Sequence, residues 1–215
     1  MDWAKTRSHA KCNLATSGLL HYPIRDLGIS IEDIELSGPS FYGFEPLQFA
    51  LARKCGVPPD CIVAAIGTSM ANHLAMAALL EPGDEVLVEH PAYEPLLSVA
   101  HYLGAEVRRF RRKFETGFAI DPAEVERSAT PRTRLIVITN LHNPSSALTD
   151  DDTLKSLAEI ACSVKARILV DTENILELVG QRQQINFITS LSFRFSWIQK
   201  LDAVRSRQIR APMAA

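Results

Sequence analysis

Residues 62–104 read IVAAIGTSMANHLAMAALLEPGDEVLVEHPAYEPLLSVAHYLG, and this stretch decides the fold. The short apolar run 62–66 predicts a strand. Residues 69–81 carry Leu74, Met76, Ala77 and Leu80 at helical spacing and stop at Pro82-Gly83, which predicts a helix. EVLVE at 85–89 predicts a second strand, and 93–103 a second helix ending at Gly104. Outward from there, 105–112 reads as extended, LIVIT at 135–139 as a buried strand, and 149–164 as a helix. Three aspartates stand in the first turn of that helix, where they complement its dipole. ARILVD at 166–171 is a further apolar strand, ending in a carboxylate. Strands and helices alternating at this spacing mean βαβ units. The expected fold class is α/β: a three-layer αβα sandwich with a mainly parallel sheet, whose sites lie at the carboxyl ends of the strands.

The 215 residues are 47% hydrophobic and 22% charged, which argues against disorder and fibrous repeats and allows a sizeable core. A net charge of −2 gives no general reason to expect nucleic acid or an acidic membrane surface as a partner. The longest apolar stretches, such as 62–66 and 75–80, fall far short of the ~20 residues of a membrane span. No apolar segment follows the N-terminal MDWAKTRSHAKC, so no secretory signal is read; its basic character leaves a transit peptide open. Cys12, Cys55, Cys61 and Cys162 form no CxxC pair and lack histidines at ligand spacing. They read as thiols outside any disulfide in a cytoplasmic protein, with no metal site.

Charge is unevenly spread. Residues 1–180 carry 17 basic and 24 acidic side chains, whereas 181–215 carry six basic (Arg182, Arg194, Lys200, Arg205, Arg207, Arg210) and one acidic, Asp202. Gly180 is also the last glycine and Glu177 the last glutamate. Such a shift marks a boundary: a linker, a basic tail, or a change in the origin of the sequence. A second basic run, Arg108, Arg109, Arg111, Arg112 and Lys113, could touch nucleic acid. In strand geometry its charges fall on both faces, and it is expected to be a solvated edge strand guarded against aggregation.

The predicted strand ends carry polar features in one order. After 62–66 comes Gly67-Thr68-Ser69 at a helix start, a backbone turn with two hydroxyls over free N–H groups. It suits phosphate, and it suits an ordinary helix cap. After 85–89 comes His90-Pro91-Ala92-Tyr93, with a tyrosine that could stack or simply pack. After 135–139 comes Asn140-Leu141-His142-Asn143-Pro144-Ser145-Ser146, a polar loop that could also be a plain Asn-Pro turn. After 166–170 comes Asp171, a ligand partner or an N-cap. Taken together, a phosphate cradle, an aromatic ring, an amide donor and a carboxylate match one ligand. It is pyridoxal 5'-phosphate (PLP), whose ring nitrogen needs an anionic partner to stay protonated.

The chain from about Asn13 to Val179 resembles the fold-type I PLP-dependent aminotransferases of class I/II. The stretches that carry the likeness are SFYGFEPLQFALARKCGV, the quoted segment through HPAYEPL, GAEVRRF, GFAIDPAEVE, LIVITNLHNPSS and ILVDTENILEL. The resemblance implies an amino-group transfer between an amino acid and a 2-oxo acid, PLP as cofactor, and a homodimer without nucleic-acid or membrane partners. It also implies roles. Thr68 and Ser69 would hold the phosphate, Tyr93 would stack on the ring, Asn143 would donate to the phenolic oxygen, and Asp171 would pair with the ring nitrogen. Tyr42 resembles the tyrosine that reaches toward the neighbouring subunit's phosphate, and Gly18 lies where an N-terminal substrate loop would pass. Residues 1–45 would belong to the small domain or arm and 46–180 to a partial PLP-binding large domain, leaving 181–215 as an unmatched basic tail. In the family's sheet the strand at 62–66 pairs with strands late in the chain, so it is expected to lose neighbours here.

The departures are specific. The family's DE-x-Y is Asp171-Thr172-Glu173-Asn174 here, so Asn174 stands in place of a tyrosine, and the NPTG turn is Asn143-Pro144-Ser145-Ser146. The family's lysine, which carries the cofactor covalently, follows an S-x-S motif. Here Ser190-Leu191-Ser192 is followed by Phe193. Lys200 lies 29 residues past Asp171 but in an unrelated context, SWIQKLD, and is the candidate for that role. The tail is expected to be out of register with the family, as in a truncated or frameshifted product, and the chain inactive. The alternative is a non-catalytic remnant that binds PLP or a partner.

Overall fold

The computed structural model describes residues 23–34, 44–172 and the backbone of 187–189. The chain divides into two compact units, Met1–Pro39 and Ser40–Ala215. In the first, 3-10 turns span Ile24–Leu27 and Ile31–Asp33, and the Ser30 N–H donates to Asp33 Oδ2 at 2.7 Å.

The second unit is built on runs of residues buried on both sides. Strands β1 (Glu85–His90), β2 (Glu106–Arg111), β3 (Thr133–Thr139), β4 (Arg167–Asp171) and β5 (Phe187–Thr189) form one sheet in the order β2-β1-β3-β4-β5. Every pairing is parallel. Alternate side chains go to opposite faces. Leu87, Ile136, Ile138, Ile168 and Val170 join one core, under helices α4 (Pro122–Ser128) and α5 (Asp151–Val164). Val86, Val88, Leu135, Val137 and Leu169 join the other, under α2 (Thr68–Leu79) and α3 (Glu94–Tyr102). Helix α1 (Glu45–Cys55) precedes these and ends at Gly56. The three-layer αβα sandwich expected from the sequence is the observed architecture.

Local chemistry explains the joints. Asp150 caps α5 by accepting from the Thr153 N–H at 2.8 Å, and Asp121 caps α4 through Ala123. Gly104 turns from α3 into β2 at φ +76°, and a Cβ there would meet Pro82 Cβ at 3.2 Å, so both conformation and space require glycine.

Three features depart from the sequence expectations. Residues 62–66 form no strand: no described strand pairs with them, and Ile66 is 95% exposed. A backbone without a neighbour gains no ladder hydrogen bonds to hold it. Residues 187–189, inside the segment read as a tail, add a strand beside β4. The basic run does lie on an edge strand, β2, but it is not uniformly solvated. Arg109 folds back onto the Glu89 carbonyl at 2.6 Å, and Arg112 is buried. Arg112 lies one residue past β2, where its N–H donates to the His90 carbonyl, and its side chain turns inward to a carboxylate that strand alternation alone would not reveal.

Candidate active site

Because the strands are parallel, β1, β3 and β4 all finish at one edge, with Thr139 opposite Asp171 in register. Tyr93 follows β1 and is half-buried against the α2/α3 core. Asn143 follows β3 and is exposed at the edge, its N–H donating to Thr139 Oγ1 at 2.8 Å. Asp171 ends β4 and is 8% exposed. Helix α2 packs on the sheet, and its C-terminus leads through Pro82-Gly83 to the amino end of β1. Its N-terminus, with Thr68 and Ser69, is therefore directed to the carboxyl edge. Both residues are exposed, and neither side chain caps the helix. Tyr42, Gly18, Asn174 and Lys200 lie outside the described residues.

Beneath this edge is a buried polar network that the sequence pattern does not reveal. Glu89 and Arg112, both with fully buried side chains, form an ion pair at 2.7 Å. Glu89 Oε1 also accepts from the Thr139 N–H at 2.7 Å and from its hydroxyl at 2.6 Å. Burial pushes the Glu89 carboxyl pKa up, against the hydrogen bonds from Thr139 and Arg112 that hold it down. Arg112 further donates to the Phe118 carbonyl at 2.6 Å and to Thr149 Oγ1 at 3.4 Å. Asn140 closes the loop after β3 by exchanging two hydrogen bonds with the Thr149 backbone.

His142 ties two rim loops together. Its Nε2 donates to the Pro91 carbonyl at 3.1 Å, and its Nδ1 lies 2.5 Å from Ser145 Oγ. A carbonyl can only accept, so Nε2 carries a proton, and in the neutral ring Nδ1 is then the acceptor for the Ser145 hydroxyl. Burial lowers the pKa of His142, and the positive charge of Arg112 adds to that. The peptide bonds His90-Pro91 and Asn140-Leu141, which bracket this contact, are cis.

The residues present fit a phosphorylated ring. The first helical amides of α2 have no intrahelical acceptors, with the Ala71 N–H the first to reach a carbonyl, that of Gly67. A Cβ added to Gly67, which sits at φ +79°, would meet no atom within 4 Å, so there is open space at the helix start. The buried Asn72 Oδ1 and Thr172 Oγ1 find no hydrogen-bond partner among the described residues. Asp171 supplies a buried carboxylate on the same edge. Among the described residues no group of three or more His, Cys, Asp or Glu could hold a metal, and no helix is long and apolar enough to cross a membrane. Cys55, Cys61 and Cys162 are not joined in disulfides.

The parallel three-layer sheet thus directs a helix N-terminus, an aromatic ring, an amide and a carboxylate toward one edge, where ligands of such sheets bind. The family described as aminotransferase class I and II matches residues 35–172, and the chain belongs to that family. The enzymes of that family are PLP-dependent. The chain is 34% identical over 182 residues to capreomycidine synthase of Streptomyces vinaceus, covering 79% of this chain and 46% of that protein. It is 32% identical over 125 residues to the aspartate/prephenate aminotransferase of Thermus thermophilus, covering 55% and 32%. Among solved structures, a PLP-dependent aminotransferase from Streptococcus suis superposes with a TM-score of 0.67 at 26% identity, over 82% of this chain and 53% of that one. A single mutant of the Thermus thermophilus aspartate aminotransferase gives a TM-score of 0.59 at 31% identity, over 61% and 36%. The chain thus spans about half or less of the length of these relatives.

Proposed function

We propose that this chain binds PLP at the carboxyl edge of its sheet and, acting alone, does not transfer amino groups. Thr68 and Ser69 take the phosphate with the amides of the α2 N-terminus. Tyr93 lies against the ring, Asn143 donates to the phenolic oxygen, and Asp171 holds the ring nitrogen protonated. Bound PLP supplies an electron sink. The family's reaction, exchange of an amino group between an amino acid and a 2-oxo acid, also needs an amine beside the cofactor aldehyde and a base for the α-proton. The position after Ser190-Leu191-Ser192 is Phe193, which offers neither. The domain division in this reading is a cofactor-binding body over 46–180, with 1–45 belonging to the arm.

The observation that carries the reading is Asp171, a buried carboxylate ending β4 in register with Thr139, four residues before Asn143. The test is PLP binding by equilibrium dialysis, followed by borohydride treatment and an amino-acid panel with 2-oxoglutarate. Reversible binding, with no cofactor fixed by reduction and no turnover, is expected. Cofactor fixed to Lys200, with turnover lost in Lys200→Ala, would overturn the inactive half of the proposal. No binding at all would overturn the rest.

A further inference from the structure

We infer that Arg112, acting through Glu89 and Thr139, is a positioning residue for the loop that presents Asn143 to the cofactor; this rests on the PLP reading above. The geometry is directional. An ionised carboxylate only accepts, so the Thr139 hydroxyl must aim its hydrogen at Glu89 Oε1, 2.6 Å away. Its lone pairs are then left for the Asn143 N–H, which lies at 2.8 Å. Turning the hydroxyl away from Glu89 would remove the acceptor that sets Asn143 above the strand end. Arg112 holds Glu89 in place at 2.7 Å and so fixes the direction of the next bond.

Arg112 also reaches the other end of the same loop. Its Nη2 donates to Thr149 Oγ1, and Thr149 is clamped to Asn140 through its backbone. One buried guanidinium is therefore connected to both ends of the loop 139–149, while Asn143, Pro144 and Leu148 between them are exposed. A buried ion pair is a poor way to gain stability, since apolar residues of similar volume do as well. Its contacts here are better explained by where they end: on the hydroxyls of Thr139 and Thr149 and on the backbone of the loop.

The experiment uses the full chain and two readouts. The first is the PLP dissociation constant of wild type, Thr139→Val, Thr139→Ser, Asn143→Ala and the double variant Thr139→Val/Asn143→Ala. The second is amide hydrogen exchange of the cofactor-free protein, with Arg112→Met and Glu89→Gln added. Thr139→Val is expected to weaken PLP about tenfold, the size of one lost hydrogen bond, and Thr139→Ser to recover most of it. The double variant should bind no more weakly than Asn143→Ala alone, because Thr139 acts through Asn143. Without cofactor, exchange should quicken across 139–149 in Thr139→Val while the amides of α2 and α3 keep their protection, and in Arg112→Met it should quicken more across 139–149 than in α2 and α3. Additive losses in the double variant, or unchanged exchange in the loop, would overturn the positioning role. If wild type binds no PLP, the functional reading falls, and the exchange data alone decide whether Arg112 orders the loop.

Discussion

The two halves of the candidate cofactor site are built differently. The ring half, formed by the ends of β1, β3 and β4, rests on fully buried groups: Glu89, Arg112, Thr139, Asn140 and His142 bond one another or the backbone around them. The phosphate half, residues 62–69, has Ile66 95% exposed, two hydroxyls that cap nothing, and a glycine at φ +79°. One half is fixed by side-chain chemistry and the other by backbone conformation. In the proposed reading PLP would meet a set geometry at its ring and open amide donors at its phosphate.

The sharpest way to break this contrast is Arg112→Met. It leaves Glu89 buried without its cation, and unfolding in urea should show a loss of about 3–5 kcal/mol. A loss within about 0.5 kcal/mol, the range of ordinary surface changes, would mean that the ring half is not held by this pair. In the phosphate half the largest effect should come from Gly67→Ala. With ψ at 159°, Gly67 occupies a region that L-residues avoid, and thermal melting should show a cost of about 1–3 kcal/mol even though a Cβ meets nothing there.

A smaller effect concerns pH. His142 has a folded pKa below its ordinary value of 6.5, so the folded state binds its proton less well than the unfolded state. Its neutral form carries no penalty above pH 6.5, and stability is lost as pH falls below that toward the folded value. Urea midpoints from pH 7.5 to 5 should slope downward in wild type, and His142→Asn should flatten that slope. The smallest effect is Ser69→Ala, which should leave stability within about 0.5 kcal/mol while weakening PLP. A comparable loss of stability would show that Ser69 is a structural cap after all.

The sheet and both its cores were legible because β1, β3 and β4 are apolar runs bounded by turns, and because α2, α3 and α5 keep helical spacing. Helix α1 buries only Ala52, and α4 is seven residues long, so neither has a periodic stripe strong enough to assign. The stretch 62–66 reads as a strand from its apolar content, yet a strand needs a neighbour, which local sequence does not supply. On the rim, Thr68, Ser69, Tyr93, Asn143 and Asp171 stand out as polar residues after apolar runs. Glu89 and Arg112 do not. Glu89 looks like the last residue of a strand and Arg112 like one of five surface cations, and only the parallel pairing of β1 with β2 brings them together. A buried pair formed by residues 23 apart has no local signature.

In the proposed reading a single ligand joins the two halves and touches both at once. A 15N–1H spectrum of the protein titrated with PLP tests this most directly, by following the backbone amides of Thr68 and Ser69 and the side-chain amide of Asn143. All three are expected to shift together and fit one dissociation constant, with Asp171→Ala weakening that constant for all of them. Shifts at Thr68 and Ser69 alone, reproduced by inorganic phosphate and indifferent to Asp171→Ala, would contradict it.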